Sequence, residues 1–315
     1  AGAHPLTPWV EYWDLTSRLP DVQVEDVEAF YTRWSGSYVE DRLRNDWLLE
    51  LGRRRQWTAV AREYPRVRMD DDRSVTCYAL LAEHQAGKPV RDAARRAWMA
   101  QKEADDACQL LAQTLVDARQ FSEQEVWRKL RHAVEHNRQK QARATAGLLG
   151  DSLADSVAEL LDNPARYLAR KANPTRRHGS ALAALALARV AAGDPEAAAR
   201  QLEERWGRQL DREDAAWAWA ITARQGALAL LPQTLDWVQQ AWRLLPARQA
   251  DAPDWSDETL GWHARAWLRL GQGSERWAGL QRCVDAMSTG ERNEPVWQYW
   301  RARALLATAA PAAAG

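Results

Sequence analysis

The chain has 315 residues, 46% of them hydrophobic, enough for one large core or for an extended array of packed helices. Its 43 basic and 43 acidic side chains cancel, which leaves no net field to draw in nucleic acid or an anionic membrane surface. No stretch approaches the ~20 consecutive apolar residues of a membrane span, and only 16 glycines with few β-branched runs favour helices over sheets. The chain opens at Ala1 with no basic-then-apolar leader and reads as a mature or trimmed segment.

Helical periodicity with short breaks runs from end to end. Leu48 to Trp57 reads as a hairpin with Gly52 near its break, and Tyr64-Pro65 marks the next interruption. Asp72 precedes a predicted helix over Arg73–Ala86 and suits its N-cap, so the run Asp70-Asp71-Asp72 reads as capping rather than metal or acid/base chemistry. Asp105-Asp106 reads the same way, after a predicted helix over Val90–Gln101. Asn163-Pro164 and Asn173-Pro174 break the pattern before the clearest unit, residues 180 to 207. There Leu182, Leu185, Ala186 and Val190 form one apolar stripe, and Gly193 ends the helix through a left-handed exit. Asp194 and Pro195 then open a second helix ending near Trp206. Leu245-Pro246 and Ala252-Pro253 are further breaks, and Thr308 to Gly315 is an Ala/Pro-rich tail following one domain over 1–307.

An Ala-x4-Gly turn recurs at Ala82/Gly87, Ala188/Gly193 and Ala266/Gly271, with Ala93, Ala199 and Trp277 six residues beyond each Gly. The Gly-to-Gly separations of 106 and 78 residues give no fixed short period. The predicted fold is all-α: a right-handed α-superhelix of stacked helical hairpins, TPR-like and U- or ring-shaped.

His132-Ala133-Val134-Glu135-His136 matches the H-x-x-E-H metalloprotease pattern. Arg128, Lys129, Arg131, Arg138 and Lys140 surround it with positive charge that opposes a divalent cation, so a solvated helix face is expected and no metal or cofactor is assigned. Trp47, Trp98, Trp127, Trp217, Trp262 and Trp267 fall within helical patterns and read as packing between helices rather than sugar platforms. No G-x-S-x-G, P-loop or G-x-G-x-x-G occurs, and no catalytic residue is assigned. The three cysteines, Cys77, Cys108 and Cys283, are too widely spaced for a metal cluster or a redox pair. Cys77 and Cys108 lie on helices separated by one other, so either a disulfide, contributing ~2–4 kcal/mol, or two buried thiols fits the residues.

The run Asp46-Trp47 to Gly52, then Gln56-Trp57-Thr58-Ala59-Val60, Tyr64-Pro65 and Cys77-Tyr78 to Gly87-Lys88 resembles the N-terminal region of soluble lytic murein transglycosylases. So does Trp98 to Cys108, and Glu294 to Leu305 looks like that family's W-x-Y-W-x-A-x-x-L helix, here Trp297, Tyr299, Trp300, Ala302 and Leu305. The resemblance covers nearly the whole chain, and the succession of modest motifs carries it. It implies a ring- or U-shaped superhelical domain in the periplasm, followed by a linker domain and a lysozyme-like domain. That last domain cleaves the β-1,4 bond between N-acetylmuramic acid and N-acetylglucosamine and leaves a 1,6-anhydro end. The family's acid/base is the Glu of a Glu-Ser motif, and no Glu-Ser dipeptide occurs here. The resemblance therefore transfers architecture and compartment, with peptidoglycan strands and the family's own linker and catalytic domains as partners. It also implies the Cys77–Cys108 disulfide and leaves Cys283 as a buried thiol. A TPR-like protein-interaction scaffold is the rival expectation.

Overall fold

The computed structural model describes residues 4–69, 71–249 and 252–309, and every regular element among them is helical. The chain forms two compact units, 1–129 and 130–315, each taken in turn. In the first unit α1 (Thr7–Ser17) and α2 (Val24–Arg33) lead into α3 (Tyr38–Arg53) and α4 (Trp57–Glu63). Then follow α5 (Arg73–Gln85), α6 (Arg91–Ala100), α7 (Asp106–Asp117) and α8 (Glu123–Glu135), and the unit boundary falls inside α8. The helix starts are local in origin. The Ser37 hydroxyl accepts from the Glu40 N–H, Asp72 accepts from those of Ser74 and Val75, and Asp105 accepts from that of Cys108. The predicted caps at Asp72 and Asp105 are thus present, and Asp70, first of the Asp70-Asp71-Asp72 run, lies outside the described residues.

A period that glycine spacing hides emerges from the backbone. Arg55, Gly87 and Arg119 all adopt left-handed φ, at +55°, +77° and +56°. They stand 32 residues apart. Each closes the same helix exit: the next N–H reaches back to Leu51, Glu83 or Leu115. The glycines alone miss this spacing because Arg holds two of these three exits; Gly36, also left-handed at +77°, falls outside it. Gly52 serves a different purpose. It lies inside α3, where a Cβ would sit 2.2 Å from the Tyr78 ring, so its absence lets α5 pack closely.

Leu43, Trp47, Leu48 and Leu51 of α3 are almost fully buried, as are Leu81, Trp98, Leu111 and Leu115. Between α5 and α7, Cys77 and Cys108 form a disulfide with Cα atoms 5.1 Å apart, and neither residue is exposed. Lys129 is buried too. Its ammonium donates to the carbonyls of Trp98 (2.6 Å), Gln101 (2.8 Å) and Met99 (3.3 Å), neutralising the C-terminal end of α6.

The second unit contains α9 (Gln139–Gly147), α10 (Asp151–Asp162), α11 (Pro164–Arg170), α12 (Gly179–Ala191) and α13 (Pro195–Gln201). A π-helical turn, Leu202–Trp206, joins α13 to the short α14 (Gly207–Gln209). After these come α15 (Arg212–Leu228), α16 (Thr234–Leu244), α17 (Asp257–Leu270), α18 (Gly273–Asp285), α19 (Thr289–Arg292) and α20 (Pro295–Ala309). Asn163 and Asp194 cap α11 and α13 ahead of Pro164 and Pro195, as their sequence order dictates. The predicted single stripe of α12 becomes burial around nearly its whole girth. α10, α11, α13 and α15 all pack on it, and Ala183, Ala184, Ala186 and Ala188 leave room for them. Of the four stripe residues, only Val190 is half-buried.

Two glycine turns differ from expectation. Gly193 has no left-handed φ: Ala192 continues the right-handed path, and the N–H groups of Gly193 and Asp194 share the Val190 carbonyl at 3.0 and 2.8 Å. Gly271 is extended (φ −67°, ψ 153°) and is needed for space, since a Cβ would lie 2.6 Å from the Trp267 oxygen. The second helix of the predicted 180–207 hairpin passes its expected end at Trp206 and runs on through Gln209. Helix α20 continues through Ala309, one residue beyond the predicted tail start at Thr308; residues 310–315 lie outside the described residues.

Candidate functional site

The H-x-x-E-H segment is not the solvated face expected of it. The His132 and His136 rings stand 4.3 Å apart, centroid to centroid, and both are half-buried. Glu135 is buried and turns instead to Arg224 Nη1 at 3.2 Å, while the hydroxyls of Ser256 and Thr259 donate to the same carboxylate oxygen. Arg224 Nη2 reaches Glu258 Oε1 at 2.5 Å, and His136 Nε2 lies 2.8 Å from Glu258 Oε2. Burial alone raises the Glu258 carboxyl, but Arg224 and His136 together outweigh it and hold it below the usual carboxylate range. Charges this enclosed are tolerated because each has a partner. Among the described residues no three or more His, Cys, Asp or Glu converge as a metal site.

The tryptophans divide in two. Trp47, Trp98, Trp217 and Trp267 are interior and pack helices together, as their periodic positions imply. Trp127 and Trp262 are only half-buried. Trp127 Nε1 donates to Glu123 one turn earlier, whereas Trp262 borders a cleft.

That cleft, about 320 Å³ in volume, lies entirely within the second unit. Helix α17 contributes Asp257, Glu258, Trp262 and Arg265, α19 contributes Glu291, and α20 contributes Trp297. Gly261 makes the close approach possible: a Cβ there would stand 3.0 Å from both the Trp297 ring and Arg265 Nη1. Trp297 is fixed by burial and by donation from its Nε1 to Glu291 Oε1 at 2.8 Å. Asp257 accepts from the Ser288 N–H (2.7 Å) and hydroxyl (2.6 Å). The exposed Arg265 guanidinium lies over both indoles, 5.0 Å from the Trp262 ring and 4.9 Å from the Trp297 ring. Held acceptors, one exposed guanidinium and two indoles thus converge on one concavity.

Helical periodicity alone places Trp262 among the packing residues and gives no sign of the cleft. Its one legible signal was the Trp297-Gln298-Tyr299-Trp300 run. Arg224 was also missed, although a lone cation inside the alanine-rich 215–227 segment of α15 is itself a sign of a buried partner.

No family model matches the sequence, and no curated protein matches it. Solved structures do. An inactive mutant of the lytic transglycosylase Slt from Pseudomonas aeruginosa superposes over 97% of this chain and 48% of that one, at 23% identity and a TM-score of 0.56. The 70-kDa soluble lytic transglycosylase of Escherichia coli superposes over 96% of this chain and 48% of its own, at 20% identity and a TM-score of 0.50. A 70-kDa soluble lytic transglycosylase in complex with bulgecin A gives the same values. The chain spans about half the length of the structures it matches. The resemblance carried by the sequence motifs is therefore met in three dimensions: the chain has the all-helical fold found in soluble lytic transglycosylases.

Proposed function

We propose that this chain is the non-catalytic helical arm of a periplasmic lytic murein transglycosylase. It braces the lysozyme-like catalytic domain and bounds the access of peptidoglycan strands to it. The observation that carries this reading is coverage: nearly all of this chain aligns with about half of each transglycosylase structure. The ordered motifs from Asp46 to Leu305 favour the same relation. A disulfide buried in the first unit suits an oxidising compartment, and among the described residues no helix is long and apolar enough to cross a membrane. The outward Val296, Tyr299 and Leu306 share one side of α20 and offer an apolar surface to the family's linker domain.

Co-sedimentation with purified sacculi tests the reading, with the supernatant assayed for anhydro-muropeptides. Retention without product is expected. Released product would overturn the non-catalytic assignment, and absence of retention would remove contact with the glycan.

A further inference from the structure

We infer that the cleft between α17 and α20 is a binding subsite for a neutral pyranose of a β-1,4-linked glycan, with Trp262 as its stacking platform. The inference deepens the proposed function and rests on it for the choice of glycan; the chemistry of the cleft points to a sugar without it. A pyranose has an apolar face of C–H groups and a rim of hydroxyls. It is recognised where an aromatic ring lies beside planar hydrogen-bonding groups held in place beforehand. Trp262 is half-buried, so part of its ring faces the cleft. Asp257 is held by Ser288, Glu258 by Arg224 and His136, and Glu291 by the Trp297 indole, so these acceptors need little ordering when a ligand arrives.

The position of Arg265 selects a neutral ligand over a cationic one. Three carboxylates and two indoles would otherwise make a cage for an ammonium group. That seat is already taken, because the Arg265 guanidinium lies about 5 Å from both rings. A second cation would have to displace a like charge. A neutral sugar meets no like charge there, and it needs only that the exposed Arg265 side chain move aside, where it can donate to a ring substituent while the ring settles on Trp262. Trp297, only 3% exposed, forms the floor.

The test titrates the whole chain with the β-1,4-linked tetramer of N-acetylglucosamine, by calorimetry and by saturation-transfer NMR. Parallel titrations use Trp262→Ala, Trp262→Phe and Arg265→Ala. Circular dichroism and the thermal midpoint serve as folding controls. Binding is expected for the parent chain, with a loss of about tenfold or more in Trp262→Ala, equivalent to ~1.4 kcal/mol, and partial retention in Trp262→Phe. Arg265→Ala should weaken binding less. Equal affinity in the parent and Trp262→Ala would overturn the subsite, as would no binding by the parent. Sedimentation of the same variants with sacculi separates the two levels. Retention of Trp262→Ala equal to the parent, with tetramer binding unchanged, sinks the subsite and leaves the proposed arm standing. Tetramer binding without retention on sacculi supports the subsite and counts against the arm.

Discussion

His263 ties stability to pH between the ordinary imidazole value and a much lower one. It is fully buried in α17, its Nε2 pairs with the Ala220 carbonyl at 2.9 Å, and its ring packs edge-on against Trp255. Burial pushes the imidazole down from 6.5 to about 4, and the nearby Arg224 cation adds to the effect. Between these values the unfolded chain binds a proton that the folded chain refuses, so stability falls as the solution is acidified. Integrating the linkage from pH 7 to pH 5 gives a loss of about 2 kcal/mol, approaching a limit of ~3 kcal/mol near pH 4. Glu50, Glu125 and Glu258 act lower. In each, burial raises the carboxyl but neighbouring donors outweigh it, so their contributions persist above pH 4.5 and fade only as pH falls through their depressed values. Urea unfolding of the parent chain and of His263→Gln at pH 7, 6 and 5, followed by tryptophan fluorescence, isolates the effect. The parent should lose about 2 kcal/mol more than the variant across that range. Parallel pH profiles for the two proteins would refute the reasoning.

The remaining predictions concern stability elsewhere. Cys108→Ser should destabilise the first unit by about 3.7 kcal/mol, the entropy of a loop closed across a 31-residue separation; differential scanning calorimetry with and without reductant measures it. Thiol labelling of the native, unreduced chain should leave all three cysteines unmodified, since Cys283 is buried and the other two are paired. Arg55→Gly and Arg119→Gly should each stabilise by ~0.5–1 kcal/mol, because glycine removes the left-handed penalty at two exposed helix exits; urea midpoints check this. Arg224→Met should cost ~3–5 kcal/mol by stranding the Glu135 carboxylate, and adding Glu135→Gln should recover part of the loss. A double-mutant cycle in urea measures that coupling.

Legibility in the sequence followed the range of the interaction. Asp72, Asp105, Asn163 and Asp194 cap helices through N–H groups two or three residues away, so their role could be read from order alone. Proline breaks at Pro65, Pro164, Pro174, Pro246 and Pro253 all fall at helix starts or between helices, for the same local reason. Turn geometry was less accessible. A glycine permits a left-handed exit without requiring one, as Gly193 illustrates, and Arg55 and Arg119 adopt one without glycine. The polar interior was hidden because its partners are remote: Glu135 meets Arg224 across 89 residues and Thr259 across 124. A basic run around Lys129 reads as solvent-facing until the carbonyls of Trp98, Met99 and Gln101 are seen to surround its ammonium. The cleft depends on Trp297 meeting Gly261, a contact that only packing of α17 with α20 creates.

The Cys77–Cys108 bond also has a mechanical side. It encloses α6 in a covalent loop whose two ends are tied, so a pulling force applied to the chain termini passes through the sulfur atoms and bypasses the residues between them. Fully stretched, 31 residues of backbone would add about 100 Å of contour length. Once unfolded and stretched, the oxidised first unit is therefore shorter by that amount than the reduced one, and α6 carries none of the covalent tension.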